Sequence, residues 1–198
     1  MRLLVDTDAF CKLALGGVLE DAVHLLGADL RECGRLFALP YMLRRGRLRK
    51  IFGGDACDSL TLIAESIPVI VQPGNSWLDR LTSIDSIDPG EAQIFAAAAE
   101  FGMIVVSDDK RALLALKNVG DFPDALAGRI VILEAILIAL CNRLGPNEVR
   151  RRVKPLMDGD KLVRICFSDS VPDPRDGLRS YFNSQVGDLN PLILWNPE

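Results

Sequence analysis

Hydrophobic positions along the chain fall into short runs separated by longer stretches with helical spacing. Leu3-Leu4-Val5 is a run that ends at Asp6, the pattern of a buried strand, and Gly16-Gly17 separates it from an amphipathic stretch over Val18 to Leu26. Leu36 to Leu39, stopped by Pro40, suggests a second strand, and Tyr41 to Phe52 a helix with arginine on its outer face. Leu60 to Ile67 reads as a helix, Val69-Ile70-Val71 as a strand and Asn75 to Ile84 as a short helix. Asp88-Pro89-Gly90-Glu91 then opens an alanine-rich helix to Phe101, which Gly102 closes. Met103 to Val106 forms a buried strand leading into Ser107-Asp108-Asp109, and a further helix runs to Leu116. Ile130 to Leu133 is the last strand candidate, before a helix that ends near Leu144 with Gly145-Pro146 as its stop.

Strands alternating with helices predict an α/β fold, a parallel sheet flanked by helices in an α/β/α sandwich. Past Pro146 the pattern changes to a short basic helix from Asn147 to Met157, then to a segment rich in Asp, Pro, Gly and Ser through Ser184. The expected organisation is one domain over residues 1–145 and a C-terminal extension over 146–198, made of a basic helix and an irregular tail. Leu192-Ile193-Leu194-Trp195 is apolar enough to dock on the body.

A formal charge of -4 argues against a surface that binds nucleic acid everywhere, so any such contact has to be local. Five cysteines without a Cys-x-x-Cys pair signal neither a zinc ribbon nor a disulfide framework, which suggests reduced thiols and a cytoplasmic setting. The N-terminus lacks a signal-peptide pattern, and Ile130 to Cys141 falls short of the roughly 20 residues a membrane helix needs, so no membrane partner is expected. His24 is the sole histidine and sits among Val23, Leu25 and Leu26, which removes most Ser-His-Asp, Cys-His and catalytic zinc chemistry. Hydrolysis would have to run on carboxylates.

In an open parallel sheet, ligands bind beyond the carboxyl ends of the strands. Asp6, the pair Asp108 and Asp109, and Glu91 at the head of the helix entering the late strand all fit that place. Acids from separate segments could hold Mg²⁺ or Mn²⁺ by oxygen. Each also has a structural explanation: Asp88 and Glu91 as a capping box, Ser107 as a cap with Asp108 and Asp109 in the following first turn, and Asp6 as the cap of the first helix. The combination weighs toward a site, because clustered like charges destabilise a fold unless a cation neutralises them.

Leu4-Val5-Asp6-Thr7-Asp8, Asp88-Pro89-Gly90-Glu91-Ala92 and Val105-Val106-Ser107-Asp108-Asp109-Lys110-Arg111-Ala112 resemble, in that order, the first, central and late acidic motifs of PIN domains. The resemblance covers Arg2 to Leu144. It implies a Mg²⁺- or Mn²⁺-dependent phosphodiesterase, usually acting on RNA, as in the ribonuclease toxins of toxin–antitoxin pairs, and with it an antitoxin-like protein partner or a homo-oligomer. The implied catalytic set is Asp6, Glu91, Asp108 and Asp109, with Asp6, Glu91 and Asp109 as metal ligands. A Thr-x-Asp family pattern favours Asp109 over Asp108 for the inward position. The chain departs from the family at Arg44 and Arg45, where many members carry a glutamate. Either Asp8, Asp121 or a water replaces that acid, or the domain binds nucleic acid without cutting it.

Arg44, Arg45, Arg47, Arg49 and Lys50 form one basic stretch, and Arg150, Arg151, Arg152 and Lys154 another. The first is the expected phosphate track, aided by Lys110 and Arg111, whereas the second reads as a solvated face of a helix that packs through Val149, Val153 and Leu156. A rival reading is a phosphatase of the haloacid-dehalogenase type built on Asp6-Thr7-Asp8, although Ala9-Phe10 follows in place of that family's Gly-Thr.

Overall fold

The computed structural model of the protein describes residues 1–198, apart from the side chain of Asn75. Four short strands, β1 (Leu3–Val5), β2 (Cys33–Gly34), β3 (Ile104–Val106) and β4 (Ile130–Val131), form one all-parallel sheet in the order β2-β1-β3-β4. Helices flank the sheet, which explains why β1 is apolar at every position: Leu3, Leu4 and Val5 are all buried. Leu4 pairs with Gly34 on one side and Val105 on the other, and Val106 pairs with Val131. From β1 the chain moves to one side to make β2, then crosses back to make β3 on the other side. The order therefore reverses between β1 and β3, the place where an open α/β sheet leaves a crevice. The ladder continues one residue past each strand end: the Asp6 N–H donates to the Val106 carbonyl at 2.9 Å and the Ser107 N–H to that of Val131 at 3.0 Å. Asp6 and Asp108-Asp109 consequently emerge side by side.

The helix Pro89–Phe101 forms as expected, with Asp88 as N-cap, Pro89 in the first turn and Gly102 at φ 65° in the left-handed C-terminal position. Its alanines let it approach the sheet closely, and Ala92, Ala96 and Ala98 are completely buried. Leu133–Leu144 is the most enclosed helix, with every residue from Leu133 to Cys141 buried, Glu134 included. No helix among the described residues is long and apolar enough to cross a membrane.

Several elements differ from the sequence reading. The second strand is Cys33–Gly34, not Leu36 to Leu39. Arg35 follows it with its guanidinium buried, donating to the carbonyls of Ala64 (2.5 Å) and Leu36 (3.0 Å), and the chain then turns into the helix Leu39–Arg45. Val69 contributes one bridge, to Arg35, instead of a strand. The helix expected over Tyr41 to Phe52 is two, Leu39–Arg45 and Arg47–Phe52, because Gly46 adopts an extended conformation between them.

The extension is also more ordered than an irregular tail. After Pro146–Val153 come the helices Lys161–Cys166 and Pro174–Leu189. Asp173 caps the latter by accepting from the Arg175 N–H at 3.0 Å, so a composition that suggests loop instead supplies a helix start. That helix packs on Leu133–Leu144, with Leu178 and Leu189 buried. Leu194 then forms a parallel bridge with Ile130, and the Trp195 N–H donates to the Ile130 carbonyl at 2.8 Å, which places the apolar end segment beside β4.

Candidate active site

A cleft of about 1040 Å³ is lined by residues at the carboxyl ends of β1 and β3 and by the start of the helix Pro89–Phe101. Asp6, Asp8, Asp88, Glu91, Asp108 and Asp109 all line it, with Arg47, Lys110 and Arg111. The facing wall is apolar and consists of Leu36, Phe37, Met42, Leu48 and Ile51.

Four of the acids are fixed by helix caps. Asp6 Oδ1 accepts the Thr7 N–H at 2.6 Å at the head of Thr7–Leu15. Glu91 accepts the Asp88 N–H at 2.7 Å while Asp88 accepts the Glu91 N–H at 2.8 Å, a complete capping box. Asp109, not Ser107, caps Lys110–Leu116, accepting the Ala112 N–H at 3.0 Å. The Ser107 hydroxyl is buried and finds no partner. Capping and clustering are therefore compatible, because each cap engages one oxygen, holds the carboxyl in place and leaves the other oxygen outside the cap. The positive ends of these helices also point at the cleft, which offsets part of the repulsion among the acids.

The remaining repulsion shows in the proton affinities. Burial above all pushes the Asp6 carboxyl up to about 7, against the pull of the Thr7 N–H, and the charges of Asp8, Asp88 and Asp109 push it further. Asp6 is 8% exposed and Glu91 6%, so neither is relieved by water. Burial above all raises Glu91, against the pull of the Asp88 N–H, and the neighbouring Asp109 carboxylate raises it further. Burial would raise Asp109 as well, but the Ala112 N–H, Glu91 and the Arg111 guanidinium, 3.6 Å away, more than offset it and hold Asp109 low.

Asp108 is different because it already has a cation. The Lys12 ammonium pairs with it, with Asp160 at 2.9 Å and with Asp8 at 3.4 Å. Burial would lower the Lys12 pKa, but Asp108 and Asp160 reverse that and raise it. Asp109 is thus the member of the pair that meets Glu91, and Asp108 the member that meets Lys12. Asp121 is ion-paired with Arg80 and does not line the cleft. Asp8 does line it, with its carboxylate turned to Lys12.

The expected phosphate track narrows to one residue of its stretch. Arg44 pairs with Glu65, and Arg49 with Asp58 at 2.5 Å, both partners lying on the helix Gly54–Ser66. Arg45 and Lys50 are exposed away from the cleft lining, and Arg47 alone faces it. At the opposite side Arg111 is exposed and Lys110 pairs with Asp188 at 2.6 Å. In the second stretch Arg151 is exposed and pairs with Glu148, whereas Arg152 also pairs with Asp21 and Arg150 donates to the Val171 carbonyl, so this face is partly held by tertiary contacts and not simply solvated.

Two features of the site have no sequence signature. Phe37 is 83% exposed on the cleft wall, a lone aromatic in a turn, and Lys12 and Asp160 meet only through the tertiary fold. Among the described residues no three histidine, cysteine or acidic side chains are drawn into a closed set of metal ligands. The chemistry of Asp6, Glu91 and Asp109 nonetheless suits a hard cation: all donors are carboxylate oxygens, and two of the three carry raised proton affinities. Comparison of the chain with family models, with curated proteins and with solved structures returns no match.

Proposed function

We propose that the chain is a PIN-like, metal-dependent nuclease that hydrolyses phosphodiester bonds in RNA. The observation that carries this reading is the gathering of Asp6, Glu91 and Asp109, from three separate segments, into one cleft, where Asp109 alone has a cationic neighbour, the exposed Arg111 guanidinium at 3.6 Å. A Mg²⁺ or Mn²⁺ ion bound by these oxygens would act as a Lewis acid on a phosphate and activate a water at neutral pH. Asp6, Glu91 and Asp109 are the residues that would hold it. The three helix N-termini and Arg47, Lys110 and Arg111 favour an anionic backbone in the cleft. Phe37 offers a flat face on which an unpaired base stacks.

Cleavage of a fluorogenic RNA in MnCl₂, compared with EDTA and with Glu91→Gln, tests the assignment. Loss of cleavage in both controls is the expected result, and equal rates in all three would end it. Phe37→Ala is expected to weaken RNA binding by about 1–3 kcal/mol, read by fluorescence anisotropy at fixed salt, without changing the affinity for Mn²⁺. A second reading, a module that binds RNA without cutting it, is favoured by Arg44 and Arg45 where an acid is expected and by the Arg111 guanidinium beside Asp109. RNA binding that persists in EDTA, with no cleavage in any divalent ion, would select it.

A further inference from the structure

A second group of carboxylates adjoins the first. The Lys12 ammonium, on the helix Thr7–Leu15, lies among Asp8 of the same helix, Asp108 of the loop after β3 and Asp160 of the extension. Its side chain is 19% exposed and that of Asp160 9%, so water contributes little to their solvation. Asp160 divides its oxygens, one accepting the Val163 N–H at 3.0 Å as the cap of Lys161–Cys166, the other meeting Lys12. Glu134, buried on the helix Leu133–Leu144, interacts with Asp108, Asp160 and Lys12. An ammonium has three N–H donors and a compact charge, so it can satisfy three carboxylates much as a small ion would.

We infer that Lys12 is a built-in replacement for a second divalent ion: it occupies the acids that would hold one, limits the centre to a single metal, and ties the extension to the catalytic edge through Asp160. Two-metal phosphodiesterase centres place their ions about 3.5–4 Å apart with acids from neighbouring positions serving both. Asp108 and Asp109 are adjacent in the chain yet serve different cations, one supplied covalently and one from solution. This makes Lys12 a positioning residue that keeps Asp108 out of the Asp6–Glu91–Asp109 set. The single-metal count rests on the function proposed above, but the role of Lys12 in its own cluster does not.

Calorimetric titration with MnCl₂ distinguishes the two. The wild-type protein should take up one Mn²⁺, weakened at least about 10-fold by Glu91→Gln, and Lys12→Met should take up two. The added ion should persist in the double variant Lys12→Met/Glu91→Gln and disappear in Lys12→Met/Asp108→Asn. Lys12→Met should also melt lower than wild type in EDTA and recover in MnCl₂. A wild type that binds two ions, or a Lys12→Met protein that binds no more than wild type, overturns the inference. So does a Lys12→Met chain that stays unfolded in MnCl₂, since an ion able to replace the ammonium would restore the fold. If wild type binds none and Lys12→Met binds one, the role of Lys12 stands and the nuclease assignment falls.

Discussion

Asp6→Asn is expected to lower metal-dependent RNA cleavage by about 10³-fold, equivalent to about 4 kcal/mol of transition-state stabilisation. The substitution removes a charge without removing the helix cap, because asparagine accepts the Thr7 N–H as well as aspartate does. The fold should therefore survive. The metal-free variant should even melt higher than wild type at pH 8, where wild type must keep an ionised Asp6 buried beside Asp8, Asp88 and Asp109. Cleavage assays and thermal melts in EDTA, run on the same preparation, check both halves. A variant that cuts RNA at more than a tenth of the wild-type rate would remove Asp6 from the metal-binding set.

Without a divalent ion the wild-type protein is expected to lose stability as pH rises from about 4 to about 7. Asp6 has an ordinary value of 3.8 and a folded value of about 7, so between those limits the native state holds a proton that the unfolded chain has released. Its contribution is fully present below the lower value and gone once pH passes the upper one. Each pKa unit corresponds to about 1.4 kcal/mol, so Asp6 alone accounts for at most about 4 kcal/mol. Glu134, raised to about 7 by burial and then by Asp108, acts in the same direction. Lys12 does not enter this window, because its raised pKa moves stability only in the alkaline range. Urea denaturation at pH 5 and pH 8 in EDTA should show the difference, and saturating Mn²⁺ should shrink it. A flat profile in EDTA would mean that Asp6 is solvated, and the case for a cation site at β1 would go with it.

The acids were readable from sequence because local rules fix their positions. Asp6 comes directly after Val5, and Asp88-Pro89-Gly90-Glu91 contains a complete helix start, so the fold has little freedom over where either goes. The strands on both sides of the switch point were readable for the same reason. β2 was not: Cys33–Gly34 has no apolar run of its own and is a strand only because Leu3 and Leu4 pair with it. Leu36 to Leu39 is more apolar, but Arg35 anchors the preceding turn by bonds to the far end of another helix. Charge runs likewise do not reveal their partners. Glu65 and Asp58 take Arg44 and Arg49 away from the cleft, and both sit on a helix whose packing is a tertiary outcome. The choice between Asp108 and Asp109 had a similar origin. Lys12 and Asp160 make it physically, and nothing in the chain around Asp160 marks it as a partner of the first helix.

The rims of the sheet carry a consequence for assembly. On one side Val69 covers β2 through a single bridge to Arg35, and on the other Leu194 covers β4 through a single bridge to Ile130. A foreign strand would find no more than one or two consecutive backbone partners on either rim, too few to template its own extension. Association of this chain with copies of itself or with another protein would thus have to proceed through side chains on helical surfaces, and not through strand addition at either rim.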